Sequence, residues 1–186
     1  MQNYSRRGFI VAAGGATLGL AGCANGIGSS GGATIDARVD ETLRYLYSTY
    51  PEARSLADKA NGILVMPLVT EAGFGVGGAY GRGALRVGGA TVDYYSQAKA
   101  SFGLQIGAQQ YAHVLFFMTE DALGEFRYAS GWSAGADIKY AVLNDGDRFT
   151  ADTFATGNPI VAMVFGTAGL IVGASLEGSK YTRIIP

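Results

Sequence analysis

A serine between spaced glycines, a lone histidine, a run of aspartates and a glycine fingerprint are the features with chemistry in them. Gly131-Trp132-Ser133-Ala134-Gly135 has the spacing of the hydrolase nucleophile elbow. Such a serine needs a histidine to take its proton, and in the α/β-hydrolases that histidine follows it in the chain. The chain has one histidine, His113, and it precedes Ser133. No alternating strand–helix pattern surrounds the motif. A Ser133-dependent hydrolase therefore stays as a residual reading, with a Ser–His pair on another fold left open. His113, between Tyr111 and Val114, reads as a structural or surface residue. One histidine and one cysteine cannot build the usual zinc site. Asn144, Asp145, Asp147 and Asp152 offer oxygens that suit a hard cation such as calcium, but the EF-hand spacing is absent, and a solvated turn is the stronger reading. Gly73-x-Gly75-x-x-Gly78, with Asp93 downstream, matches the dinucleotide fingerprint. That fingerprint needs a helix to start there, and Gly81, Gly83, Gly88 and Gly89 in the following stretch exclude one. These glycines read as strand positions where another backbone packs closely. No cofactor and no metal is expected.

The lone cysteine is different, because its surroundings explain it. Arg6 and Arg7 precede an uncharged stretch from Phe9 to Ala21, which leads into Leu20-Ala21-Gly22-Cys23. A basic patch, a short apolar segment and small residues before a cut make a signal peptide. The apolar stretch is shorter than the roughly 20 residues a spanning helix needs. Ser5-Arg6-Arg7-Gly8-Phe9-Ile10 resembles the twin-arginine export motif. Leu20-Ala21-Gly22-Cys23 resembles the lipobox of bacterial lipoproteins, which implies a diacylglyceryl group on the Cys23 thiol and cleavage before it. Acyl chains of palmitate type, at about 0.8 kcal/mol per buried methylene, hold such a protein to a membrane essentially permanently. The expected location is the cell envelope. Ala24, in place of the aspartate that retains some lipoproteins at the inner membrane, leans it to the outer membrane, facing the periplasm or the cell surface.

Composition narrows the partners. Without Arg6 and Arg7, twelve basic residues face 15 acidic ones, a formal charge of −3. Nucleic-acid binding rests on basic surface that neutralises phosphates, so no nucleic-acid partner is expected. Glycine is abundant, at 29 residues, yet the 48% hydrophobic content is enough for a core. The combination points to β-structure with closely packed backbones.

The elements follow from periodicity. Asn25 to Thr34 reads as a Gly/Ser tether. Asp36 to Ala60 reads as helical, because Val39, Leu43, Leu46 and Tyr50 fall on one stripe. Pro51 opens a second helix with Glu52 at its positive end, and Asn61-Gly62 ends it. Arg38, Arg44, Arg54 and Lys59 form a candidate lipid-binding set, interleaved with Asp36, Asp40, Glu41, Glu52 and Asp58. The competing reading is that the apolar stripe simply packs on a sheet. Ile63–Met66 and Gly73–Gly83 read as strands. Ser101–Gln110 and Val114–Met118 read as a pair of adjacent strands. Glu120–Tyr128 reads as a short helix. Trp132–Val142, Ile160–Phe165, Gly169–Leu176 and Tyr181–Ile184 read as further strands, with a turn at Asn144–Asp147. The fold class is α+β: N-terminal helices, then a glycine-rich, mainly antiparallel, barrel-like sheet. The domains are a leader over 1–22, a lipidated tether over 23–34 and one domain over 35–186.

Four blocks then resemble a known family. They are Lys59-Ala60-Asn61-Gly62-Ile63-Leu64-Val65-Met66-Pro67, Ala72-Gly73-Phe74-Gly75-Val76-Gly77-Gly78-Ala79-Tyr80-Gly81, the stretch from Ser101 to Gln109 and that from Gly169 to Ser179. Together, over roughly Thr34 to Ile184, they resemble the SYLF (Ysc84-like) domain. The resemblance implies a non-enzymatic domain. It also implies binding to phosphoinositide-type membranes through an N-terminal amphipathic helix and basic surface, here the helix with Arg38, Arg44, Arg54 and Lys59. In some yeast members it implies binding to actin. The expected function is that of a lipid-anchored envelope protein with a lipid-binding domain. Its alternative is a structural or surface lipoprotein that binds a protein partner. An outer-membrane barrel conflicts with folded export and with a lipid anchor.

Overall fold

The computed structural model describes residues 29–135, 138–143, 157–166 and 176–186. The leader with Arg6, Arg7 and Phe9, the lipidation candidate Cys23, the Asn144–Asp147 turn and most of the expected Gly169–Leu176 strand lie outside the described residues. Element order is α1 (Gly31–Thr49), α2 (Glu52–Lys59), β1 (Gly62–Val87), β2 (Ala90–Phe117), α3 (Glu120–Tyr128), β3 (Trp132–Ser133), β4 (Ile138–Leu143), β5 (Ile160–Gly166) and β6 (Lys180–Ile184).

The helix α1 starts inside the segment expected to be tether, which therefore does not reach Thr34. The Ser29 hydroxyl donates to the Pro186 carbonyl at 2.7 Å and accepts from the Gly31 amide at 3.2 Å. A Cβ at Gly31 would sit 2.8 Å from the Pro186 backbone, and one at Gly32 2.9 Å from the Tyr94 hydroxyl. Glycine there lets the first turn dock on the sheet. Ile35, Val39 and Leu46 then fall on one buried stripe. Pro51 caps α2 with a helical φ of −57°.

The strands are fewer and longer than expected. Ile63–Met66 and Gly73–Gly83 belong to one 26-residue strand. Ser101–Gln110 and Val114–Met118 are not a pair of adjacent strands: they run in succession along one 28-residue strand, the latter as far as Phe117. No turn intervenes at Tyr111–His113, because that stretch pairs with β1 on one side and β5 on the other. The real turn is Gly88-Gly89, with φ of 59° and 84°, the left-handed pair a tight hairpin requires.

Such a hairpin is too long to stay flat. Its register shifts between Met66 and Val69, between Phe74 and Gly75, and between Leu85 and Arg86. Pro67, which has no N–H to give to a ladder, sits in the first of these irregularities. The second makes a corner: a Cβ at Gly73 would lie 2.7 Å from the Gly77 Cα. Beyond it the hairpin doubles back on itself. A Cβ at Gly83 would lie 2.0 Å from the Val65 carbonyl oxygen, and one at Gly81 2.8 Å from that of Leu68. The hairpin thus has a base half (Gly62–Phe74 with Ile106–Phe117) and a turn half (Gly75–Val87 with Ala90–Gly103).

Each half recruits its own strands. β6 adds to the turn half of β2 and carries β3 beyond it. β5 adds to the base half and carries β4, in parallel. The expected single strand over Trp132–Val142 is therefore broken, since β3 and β4 belong to opposite ends of the sheet. The remaining pairings are antiparallel, so the architecture is α+β with a mostly antiparallel, curled half-barrel.

Two cores result. Between the hairpin halves lie Leu64, Met66, Leu85, Tyr95, Leu115 and Phe117, and α3 closes this side with Phe126. The Phe126 ring packs 4.6 Å from Tyr95 and 4.9 Å from Phe117, centre to centre. On the outer face of the base half, Val39, Leu46, Ala53 and Leu56 of α1 and α2 cover Val65, Val114, Phe116 and Met163. Each fully buried aliphatic or aromatic side chain contributes about 1.5–3 kcal/mol, so this stripe is a structural docking surface. On the outer face of the turn half α1 reaches Ala84 and Tyr94 beside the hairpin turn, while Val76, Gly78, Tyr80 and Arg82 farther along have no such cover.

Candidate functional site

The helices present the four cations proposed for lipid. Arg38, Arg44, Arg54 and Lys59 are all exposed. They do not form one stripe. At about 100° per residue, Arg38 and Arg44 project about 120° apart around α1. The Arg44 guanidinium pairs with Glu41. That of Arg54 folds over the Tyr47 ring, 4.9 Å from its centre.

The acidic residues between them have a structural task. Asp36 accepts from the Thr91 hydroxyl and from the Tyr94 hydroxyl, both at 2.7 Å. Arg86 approaches Asp36 at 3.5 Å and pairs with Asp40 at 2.7 Å, while also donating to the Gly89 carbonyl at 3.2 Å. The bond to Asp36 holds the Tyr94 phenol above its ordinary pKa, with burial adding to the rise. Asp36 and Asp40 lean the helix toward the reading in which it packs on the sheet, and the structure agrees. They pin α1 to the hairpin turn. Nothing in the local sequence joins residues 36 and 86; the fold does. Asp93 likewise lies between Arg127 at 3.5 Å and Arg183 at 3.3 Å.

A second polar group lies between the hairpin halves. His113 is fully buried, and its Nε2 and the Tyr181 hydroxyl are 2.9 Å apart. Burial lowers the imidazole pKa to about 3, so the ring is neutral at physiological pH. Gln97 donates to the Ser179 hydroxyl at 2.9 Å, and Gln109 to the Glu71 carboxylate at 2.9 Å. Burial, with Glu71 adding to it, pushes the Tyr111 phenol up to about 12; Gln97 opposes the rise without a well-formed bond to that hydroxyl. A neutral imidazole and a protonated phenol, both shut from solvent, reach no substrate. What they do is tie β2's base half, through His113, to β6 on the turn half.

The structure keeps Ser133 apart from His113. Trp132 pairs with Tyr181 and faces inward with it; Ser133 pairs with Lys180 and is exposed on the opposite face. The Ala134 amide, the donor an elbow would lend to an oxyanion, is already bonded to the Ser179 carbonyl at 2.9 Å. The Gly73–Gly78 fingerprint lies within β1, where no helix N-terminus faces a pyrophosphate. Among the described residues no group of three or more His, Cys, Asp or Glu side chains could hold a metal ion. No described helix is long and apolar enough to cross a membrane.

Residues 98–183 match the model of the Ysc84 family, described as Las17-binding protein actin regulator. The matched stretch runs from within β2 into β6, so it takes in neither helix bearing the four cations. No curated protein matches the chain.

Proposed function

We propose that the chain is an exported lipoprotein of a bacterial cell envelope, held by acyl chains on Cys23, with a non-catalytic domain that meets a lipid surface. The observation that carries the reading is the match of residues 98–183 to the Ysc84 family model, together with the four sequence blocks that resemble the SYLF domain. The arginine pair Arg6-Arg7 and the Leu20-Ala21-Gly22-Cys23 sequence support export and anchoring. The outer membrane is the proposed destination. A non-catalytic role fits the separation of Ser133 from His113 and the closed environment of the buried histidine.

The test is flotation of residues 24–186, made without the acyl group, on neutral and anionic vesicles at low and physiological salt. Flotation on anionic vesicles that weakens with salt is expected, since charge attraction to lipid is screened. A protein that stays at the bottom of the gradient with every vesicle would remove the lipid-contact reading. The family description names a protein target, Las17, and so favours a second reading, in which the domain docks a protein partner.

A further inference from the structure

We infer that the domain meets an anionic bilayer through the stretch of the turn half's outer face that α1 leaves bare, and not through its helices. This rests on the lipid-contact reading above and says where that contact is made. The pairing register fixes which residues share the face. On β1 they are Val76, Gly78, Tyr80 and Arg82; beside them on β2 are Ala100, Ala98 and Ser96; Lys180 and Thr182 continue it on β6, and the next pair, Ala84 and Tyr94, lies under α1 and bounds the bare stretch. Ala79, Gly81 and Gly83, between them, are buried on the inner side. Val76 is 67% exposed and Tyr80 55%, among the most exposed large apolar side chains described.

Three observations choose the occupant. None of these positions carries a carboxylate, in a chain whose acidic residues outnumber its basic ones 15 to 14. The β1 stripe offers apolar Val76, aromatic Tyr80 and cationic Arg82, side chains that suit the acyl boundary, the headgroup level and an anionic surface. Gly78, Ala98 and Ala100 leave the middle flat, with no knob for a shaped partner. At about 4.8 Å per strand and 3.3 Å per residue the face covers on the order of 400 Å², against roughly 800 Å² per partner in a stable protein interface. The chain's entry point agrees. Ser29 is bonded to Pro186, just beyond Ile184, which pairs with Tyr94 on the same strands. Cys23 lies six residues ahead of Ser29, a reach of at most about 20 Å. An anchor there holds this half-sheet against the membrane surface.

The test uses the mature lipoprotein reconstituted in vesicles that contain anionic lipid and brominated acyl chains. Tyr80→Trp places an indole on the proposed face; Arg44→Trp places one on α1. Trp132, the native tryptophan, supplies the background to subtract. The Tyr80→Trp indole is expected to lose emission to the bromines, since an aromatic ring at the membrane interface sits beside the acyl chains, with Arg44→Trp unchanged. Adding Arg82→Glu and Lys180→Glu to Tyr80→Trp is expected to abolish the quenching while leaving the far-ultraviolet circular dichroism as in the parent. Quenching at Arg44→Trp alone would overturn the inference and leave the lipid-contact reading standing. Quenching at neither site would overturn both. A Tyr80→Trp spectral shift that follows protein density and ignores bromine would make the occupant a second copy of the chain, and would also overturn it.

Discussion

His113 makes folding stability depend on pH in a calculable way. Its ordinary pKa of 6.5 falls to about 3 in the folded chain because burial disfavours the imidazolium. Between those values the unfolded chain binds a proton that the folded chain does not. Stability therefore rises with pH through this window and is lost as pH falls below 6.5, by about 1.4 kcal/mol per pH unit. From pH 7 to pH 5 the loss is about 2 kcal/mol, in a range where most carboxylates remain charged in both states. His113 is the sole histidine, so no other imidazole can mask it. The perturbation is His113→Gln, which keeps a polar partner for Tyr181 and removes the titration. The assay is urea unfolding at pH 7, 6 and 5, read by the fluorescence of Trp132, whose ring packs 5.4 Å from Phe126 and 5.7 Å from Tyr181. The wild type is expected to lose about 2 kcal/mol across the series, and His113→Gln, less stable at pH 7, a small fraction of that. Equal losses in the two proteins, or a flat wild-type profile, would refute the reasoning.

The other predictions concern how the halves and α1 are held. Gly83→Ala drives a Cβ to within 2.0 Å of the Val65 oxygen and 2.5 Å of the Met66 sulfur, so the two halves of β1 must part. It should destabilise by more than about 4 kcal/mol. Gly88→Ala meets open space and only its φ of 59°, a penalty of about 1–2 kcal/mol. Similar melting temperatures for the two variants would contradict the doubled-back hairpin. Asp36→Ala removes the acceptor of Thr91 and Tyr94 and should destabilise by about 1–3 kcal/mol. It should also speed amide exchange in α1 and let Tyr94 ionise at lower pH in an ultraviolet titration. Unchanged protection in α1 would show that Asp36 does not pin the helix.

Several features were legible from local pattern alone. Val39 and Leu46 at helical spacing gave α1, and Glu120–Tyr128 read as the short helix α3; its cap, the Thr119 hydroxyl accepting from the Ala122 amide at 3.2 Å, is seen in the structure. The rejection of a dinucleotide site at Gly73–Gly78 needed only the next glycines. The length of β1 and β2 was not legible. Glycine and alternating small residues look the same in a strand that ends and in one that bends, and the Tyr111-Ala112-His113 stretch carries no signal that separates the two. The candidate cations were visible as residue types, but their spread around α1 and the loss of Arg44 and Arg54 to Glu41 and Tyr47 were not.

By itself the sequence determined what depends on neighbours along the chain: helix stripes, the short helix α3, the acid excess, and the run of residues around Cys23. Only the tertiary structure decided what depends on partners far apart in the chain. It set Asp36 beside Arg86, His113 beside Tyr181, and Gly83 against Val65. It also decided which stretch of the sheet α1 and α2 cover and which stretch, Val76 to Arg82, they leave bare. The physical reason is that a strand's two faces are equivalent until something packs on one of them, and what packs here comes from elsewhere in the chain.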